Sequence, residues 1–514
     1  MKRNSLTTAL LAGLAGAAGL ASSASALNLN PDGLGQVLIY PYYTVNDGNQ
    51  TLVSVVNTTN RVKAVKVRFL EGRNSKEVLD FNLYLSPFDV WAAAIYATGT
   101  TGAANLVTND TSCTVPRNVN VPFRNYQYTG GLQDFPNSQA AVLGSLDRTR
   151  EGHVEMIEMG LLRTGAATTQ LAEEATHGAN GVPTNCNALV AAWLPPSGGW
   201  VANGALNIDT PAGGLFGAGA IIDVANGTML GYDAEAIEAF YTDSADPGRL
   251  HAAPGSVDPD LRDADNSVAA TVDPTVFVFS QNGAAVIQEN FTSPGRPARP
   301  DAVSLVFMHD AIYNEYNTEA GLGAASEWVI TFPTKRYYVD FATTAFQPFT
   351  DPFRDDGSSC DIITIEYYNR EEAVPGTAPG VVDVSPPPPN PAITLPALCY
   401  EANILSFNQS QVAEETGATS ILGGRYAFNL NTSTISGTTF SNGWAKITFD
   451  DPSDGLPPTG VANNVLTTPD GSQYFGLPTV GFWAASFINS SAQPGLLANY
   501  SAAFRHRASR NNSG

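Results

Sequence analysis

The sequence predicts a mainly β protein: an immunoglobulin-like antiparallel β-sandwich at the N-terminus, then further β-rich sandwich domains with small helical insertions. Three observations carry this. TLVSVVNTTNRVKAVKVRFLEG, residues 51–72, reads as two strands, with Val65, Val67 and Phe69 on one face and Lys66 and Arg68 on the other. VLDFNLYLS, residues 78–86, alternates too, setting Leu79, Phe81, Leu83 and Leu85 against Asp80, Asn82 and Tyr84. Short apolar runs punctuated by Gly, Asn, Asp and Pro continue along the chain, whereas helical signals are few.

The first residues are read apart from the fold. Lys2 and Arg3 precede the apolar run LTTALLAGLAGAAGLA, and ASA at residues 24–26 supplies small residues for cleavage. That is the layout of a secretory signal peptide over residues 1–26, and no Cys follows to take a lipid. The mature chain then begins at Leu27. No later run approaches the roughly 20 apolar residues of a membrane helix, so no transmembrane helix is expected in the mature chain.

GQVLIYPYYTV, residues 35–45, opens the sheet, with Pro41 marking an edge or a break. With the two stretches above it makes the start of an antiparallel sheet with one buried face, the charged side keeping the other face soluble. Further strands are expected at residues 153–162, 219–225, 275–280, 302–309, 327–333, 336–341, 361–368, 425–430, 444–449 and 480–488, the last strong one. Short helices are expected at TTQLAEEATHG, capped by Thr168 and stopped by Gly178, and at DAEAIEAFY, residues 233–241. The domains are drawn as 27–170, an insertion-rich region 171–300 with an acidic loop, and 301–514 with a Pro-rich loop at 372–396. Pro386 to Pro389 make that loop an extended polyproline II arm. No repeat of fixed period is present, which argues against propellers and solenoids.

Charge restricts the partners. The formal net charge is −22, with 48 acids against 20 Arg and 6 Lys, and losing Lys2 and Arg3 takes it to −24. Nucleic acid and anionic membranes are repelled by such a surface. The four cysteines, Cys113, Cys186, Cys360 and Cys399, are even in number in an exported chain and contain no CxxC. They are expected as disulfides, Cys113 with Cys186 and Cys360 with Cys399.

Each chemical motif has a plainer reading beside it. His309-Asp310 invites a catalytic pair, but neighbours in a strand point to opposite faces, and no GxSxG elbow supplies a nucleophile. Glu155 and Glu158 suggest two glycosidase carboxylates, yet three residues apart in a strand they also face opposite ways. Glu151 and Glu155 share a face, as many acid pairs here do. GGLFGAGAIID, residues 213–223, lacks the spacing and Lys of a phosphate loop and reads as a turn before a hairpin.

The acidic stretch of residues 242–267 carries Asp243, Asp246, Asp258, Asp260, Asp263 and Asp265. Of these, Asp258, Asp260, Asp263 and Asp265 are the candidate ligands for calcium, which takes six to eight oxygens; a solvated acidic loop is the plainer account. FRDDGSSCD at 353–361 and DDPSDG at 450–455 are similar. Among the six tryptophans most lie in strand patterns, while Trp200, in PPSGGWVANG, reads as exposed and is the candidate ligand contact. The tail, with Arg505, His506, Arg507 and Arg510, reads as a solvated basic terminus.

VKVRFLEGRNSKEVLDFNLYLSPFDVW, EWVITFPTKRYYVDF and GLPTVGFWAASFIN together resemble exported, surface-associated, β-rich proteins of Gram-negative bacteria. The resemblance implies a location and brings no activity or catalytic residues. The leading functional expectation is therefore an exported, non-enzymatic cell-surface protein with a structural or adhesive role. Its partners would be cell-envelope polysaccharide or other copies of itself. The alternatives are an extracellular or periplasmic protein binding carbohydrate or another small ligand and, behind it, a secreted hydrolase.

Overall fold

A strand with an apolar side has to bury it, and this chain does so by stacking sheets in pairs. A computed structural model describes residues 26–513, apart from 166–169, 244–245, 267–273, 280–285, 292–299, 341–344, 374–395, 408–417, 431, 433–439, 450–463, 490–492 and 494–497. The leader up to residue 25, the cap Thr168, the proline run and the DDPSDG acids lie outside the described residues.

The first sandwich has an eight-stranded sheet. Its order is Asn28–Leu29, Glu235–Glu238, Val37–Thr44, Glu151–Leu162, Lys63–Glu71, Glu77–Leu85 and Cys113–Val115, with Ile208–Asp209 also beside Glu151–Leu162. The facing five-stranded sheet runs Thr228–Asp233, Leu215–Asp223, Asn49–Asn57, Val90–Tyr96, Asn105–Val107. Val65, Val67, Phe69, Phe81 and Leu83 from one sheet meet Val53, Val55, Trp91 and Ile95 from the other in the core. Residues 208–238 thus return to the first sandwich.

The second sandwich pairs a five-stranded sheet, Ala427–Leu430, Ala402–Phe407, Ala324–Thr331, Val480–Phe487, Tyr500–Arg505, with a four-stranded one, Thr364–Asn369, Asn442–Thr448, Ala311–Asn317, Arg507–Ser509. Every pairing in the two sandwiches is antiparallel except Ala402–Phe407 with Ala427–Leu430. Trp328, Ile330, Phe407 and Ile447 fill this core. The opposite side of its five-stranded sheet, with Val329, Ile404 and Phe482, belongs to the first core. There Tyr232 stacks on Phe482 at 4.9 Å, and Thr331 Oγ1 donates to the Pro41 carbonyl at 2.7 Å.

Sequence and structure part at several places, each for a physical reason. Asn49–Asn57 and Lys63–Glu71 are consecutive strands that do not pair; the turn between them crosses from one sheet to the other. Pro41 lies inside a strand, where the pairing register shifts between Tyr40 and Tyr43. Of residues 302–309, the first six belong to the helix Asp301–Phe307 and Met308–His309 is a short strand; a run apolar but for Ser304 and His309 has no period to distinguish helix from strand. Arg336–Val339 is one helical turn. Conversely, DAEAIEAFY forms the strand Glu235–Glu238, because pairing with Val37–Ile39 and Asn28–Leu29 outweighs the helix propensity of Ala and Glu. Leu171–Ala175 is helical, within the stretch expected to be so. The tail is sheet rather than a free terminus, with Arg505 and Arg507 still exposed: Tyr500–Arg505 and Arg507–Ser509 pair with the second sandwich, so 480–487 is not the last strand.

Cys113 is bonded to Cys186 and Cys360 to Cys399. The first bond ties the helix Cys186–Ala192 to the edge strand Cys113–Val115.

Buried glutamates hold loops to this frame. Glu151 accepts from Tyr42 Oη and the Arg425 amide at 2.7 and 3.0 Å. Glu158 accepts from Lys63 Nζ at 2.7 Å and from the Ala212 and Gly213 amides. Glu327 accepts from the Ile421 and Leu422 amides and the Thr419 hydroxyl. Hydrogen bonds to an ionised group contribute about 1.5–3 kcal/mol each. Burial opposes them, pushing all three carboxyls above the usual range.

A candidate interaction face

The five-stranded sheet of the first sandwich turns its second side to solvent. Alternation dictates what lies there. Leu52, Ser54 and Val56 point outward between the buried Val53 and Val55; Val90, Ala92 and Ala94 point outward around the buried Trp91 and Ala93. From Leu215–Asp223 come Phe216, Ala218, Ala220 and Ile222, and from Thr228–Asp233 come Met229 and Asp233.

The register sets these side chains in rows. Ala220, Leu52 and Ala94 lie abreast, next to the row Ala218, Ser54 and Ala92. Phe216, Val56 and Val90 form a ridge on one side, and Met229 with Ile222 a ridge on the other. Between the ridges the alanines leave a shallow groove of about 480 Å³. Met229 is 59% exposed and Val90 52%. Among the outward residues of these strands only Asp233 carries a charge, at the rim.

Glycine underlies this surface for a steric reason. Gly217 and Gly219 point inward, and a Cβ at either would collide with the ring of Tyr40 or of Tyr232. These tyrosines are anchored beneath the sheet: Tyr40 Oη donates to the Ser54 carbonyl at 2.7 Å, and Tyr232 Oη donates to the Tyr42 carbonyl. LFGAGAIID is therefore a strand with glycines inside and alanines outside. The turn before it is at Gly213 and Gly214, both with positive φ.

The sequence-predicted residues are scattered away from this face. Trp200 is not a surface contact: it is 2% exposed and stacks on Tyr84 at 5.5 Å. Gly198 packs its Cα edge against the Ala191 and Ala192 carbonyls, which lets the following turn fold inward and carry the indole under it. Trp193 Nε1 donates to Tyr84 Oη at 2.9 Å, and Tyr84 Oη meets His251 Nε2 at 3.0 Å. His251 Nδ1 lies 2.7 Å from the Gly204 carbonyl. Burial lowers the imidazole's pKa to about 4, so it is neutral here.

The acidic stretch is a cover over the eight-stranded sheet rather than a solvated loop. Asn82 donates to the Ala252 carbonyl, and the Gly255 amide donates to Asp80. Asp258 and Asp263 line a cavity of about 260 Å³ together with Arg249 and Arg262. Asp260 is gripped by Arg262 through Nε and Nη2, the closer contact at 2.6 Å. Burial pushes Asp263 up to about 6. Asp265 lies in the 3-10 turn Leu261–Asn266, its side chain outside the described residues. Among the described residues no three His, Cys, Asp or Glu side chains are grouped to hold a metal.

Lys66 and Arg68, expected to face solvent, are buried beneath that cover. Lys66 pairs with Asp80, while Arg68 reaches Glu77 at 2.9 Å and Glu155 at 2.7 Å. Glu155 and Glu158 point to opposite faces, each holding its own cation. His309 and Asp310 sit where the two sandwiches meet, at a strand end. Of the tryptophans, Trp444 is the surface one, 41% exposed and stacked on Tyr368 at 4.4 Å.

Sequence reasoning passed over the bare face. Its signal was apolar residues at both alternating sets of TLVSVVN, VWAAAIY and LFGAGAII, the pattern of a sheet covered on two sides. Among the described residues no helix is long and apolar enough to cross a membrane. Comparison with protein-family models, with characterised proteins and with solved structures finds no match to this chain.

Proposed function

We propose that the chain is an exported, non-enzymatic component of the cell surface with a structural role, and that copies pack on one another through the bare sheet face. The observation that carries this reading is the apolar face itself, with Asp233 at its rim as its one charge, on a body of net charge −22. An antiparallel sheet facing water ordinarily exposes polar residues.

A second copy suits the face in charge, shape and size. Acidic surfaces repel each other, so close approach is cheapest where neither copy brings charge. The ridge of Phe216, Val56 and Val90 on one copy fits the alanine groove of the other, and symmetry returns the same contact. The five strands run from three to nine residues long, and at about 3.3 Å per residue and about 4.8 Å between strands they offer roughly 540 Å² per copy. Two such faces bury about 1,100 Å², just above the roughly 1,000 Å² that a specific interface needs. The leader and the two disulfides support export.

Sedimentation velocity on the mature chain tests the assembly. Concentration-dependent association that strengthens with salt is expected, since salt screens the acidic bodies and leaves apolar contact intact. Ala94→Glu with Ala218→Glu is expected to leave monomers. A wild-type chain that stays monomeric, or a double variant that associates as well as wild type, defeats the reading. Protease shaving of intact cells tests location: released peptides support the outer surface, and recovery solely in periplasmic extract overturns it.

A further inference from the structure

On a different part of the molecule, where the N-terminal strand meets the C-terminal tail, lies a cavity of about 590 Å³. That volume is within the range of about 300–1,000 Å³ typical of small-molecule sites. Its walls are apolar: Leu29, Phe277, Phe279, Val286 and Val306. Phe279 and Val286 stand directly opposite one another on paired strands, half-exposed at its edge. Its polar end is made by Arg510, Arg505, Ser509 and His309.

Arg510 is the unusual member. Its guanidinium is fixed by backbone carbonyls alone, Nε to Met308 at 3.1 Å, Nη1 to Phe279 at 3.1 Å and Nη2 to Val306 at 3.1 Å. No carboxylate of the described residues forms an ion pair with it, and Asp310 acts on it only from longer range. Burial lowers its pKa to about 10, which leaves it charged at neutral pH. Arg505 is already paired with Glu235 at 2.6 Å. His309 lines the same end as a neutral ring, since burial and the neighbouring Arg510 and Arg505 lower its pKa to about 3. A half-buried guanidinium without a carboxylate partner at one end of an apolar cavity is costly unless something pairs with it.

We propose that this cavity binds an amphipathic monocarboxylate, its apolar chain between Phe277, Phe279, Val286 and Val306 and its carboxylate at Arg510. One unpaired guanidinium suits a single negative charge, and the depth of apolar wall suits a chain rather than a small polar acid. The site is independent of the sheet face, and either can fail without the other.

Isothermal titration of the mature chain with decanoate, below its micelle concentration, tests the site, with decanol as the uncharged twin. Saturable binding at one equivalent is expected, with decanol at least tenfold weaker. Phe279→Asp, which places a negative charge at the exposed wall, is expected to weaken decanoate at least tenfold while the melting temperature holds. Val286→Trp, filling the cavity from the opposite strand, does the same job if the first variant is unstable. Absence of saturable binding, equal affinity for decanol, or indifference to both substitutions overturns the proposal.

Discussion

Lys66, Arg68, His153 and Glu155 lie on the outer side of the eight-stranded sheet and are buried, whereas Leu52, Val90, Phe216 and Met229 lie on the outer side of its partner sheet and are exposed. The two outer faces of one sandwich invert the usual partition of polar and apolar residues. Residue polarity alone does not decide burial here. What decides it is whether another part of the chain is built to lie across the sheet.

The charged face is covered by residues 248–266, and each charge meets a particular partner under that cover. Buried ion pairs contribute little net stability against apolar replacements, because desolvation consumes the Coulombic gain. They do penalise any other placement of the cover, since a misplaced segment leaves charges unpaired. The bare face works in the opposite sense: it has apolar area to gain and only Asp233, at its rim, to keep in water, and within the described chain nothing lies on it.

Breaking the charged face has the largest expected effect. Arg68→Met strands Glu77 and Glu155 without their cation, and removing one partner of a buried pair typically costs about 3–5 kcal/mol. Calorimetry should show a large drop in melting temperature, partly restored by adding Glu155→Leu. A drop no larger than that of a surface substitution would mean that water reaches these groups.

The clamp on the helical insert comes next. Replacing Cys113 and Cys186 by alanine releases a loop with a sequence separation of 73 residues. The expected loss is about 2–4 kcal/mol. Limited proteolysis should then cut first between residues 171 and 266; unchanged cleavage would show that packing, not the bond, holds the insert.

At the junction of the sandwiches, Glu401 carries two buried carboxylate oxygens without a hydrogen-bond partner among the described residues. Burial pushes its pKa up to about 8 from an ordinary 4.5, despite the nearby Lys335 ammonium. The folded chain therefore holds a proton that the unfolded chain has released between those values. Stability from this group is full below 4.5 and is lost as pH rises to about 8, at no more than about 1.4 kcal/mol per pH unit. Glu401→Gln should gain on wild type steadily from pH 5 to pH 8. A constant difference across that range would place the carboxylate in contact with water.

Calcium offers a smaller contrast. Arg262 already neutralises Asp260, and Arg249 and Arg262 line the cavity that Asp258 and Asp263 share. Two guanidinium groups beside the carboxylates repel a divalent cation. The melting temperature should be the same in calcium and in chelator; a rise with calcium would show that the acids rearrange to bind it.

Much of this fold was legible in the sequence, but its sidedness was not. The period of two in residues 63–71 and 78–85 reports that a strand has two faces and which residues share each. It does not report what covers them, so Lys66 and Arg68 were set in water when residues 248–266, nearly two hundred positions away, bury them. The run 302–309 is apolar apart from Ser304 and His309, so it carries no period to separate helix from strand. Trp200 follows Pro, Ser and Gly, the signs of an exposed loop, yet the same glycines allow the close turn that tucks the indole beneath Tyr84. The bare face was illegible for the converse reason. Ala92, Ala94, Ala218 and Ala220 look unremarkable one at a time, and only the register sets them side by side.

The substitution with the smallest expected change in stability is also the sharpest test of the contrast between the faces. Leu52→Asp puts a charge at the middle of the bare face, where the leucine is 41% exposed. Because the side chain already meets water, folding should change by no more than about 0.5 kcal/mol, as for surface sites away from special features. Association between copies should fall sharply at the same protein concentration, since each pairing would now bury an unpaired carboxylate in an apolar groove. The two readouts separate the alternatives. A variant as stable as wild type but monomeric assigns the face to contact between molecules. A variant several kcal/mol less stable would mean that part of this same chain packs on the face, and the inversion between the two sheets would then disappear: both outer faces would be covered, one by a charged segment and one by an apolar one.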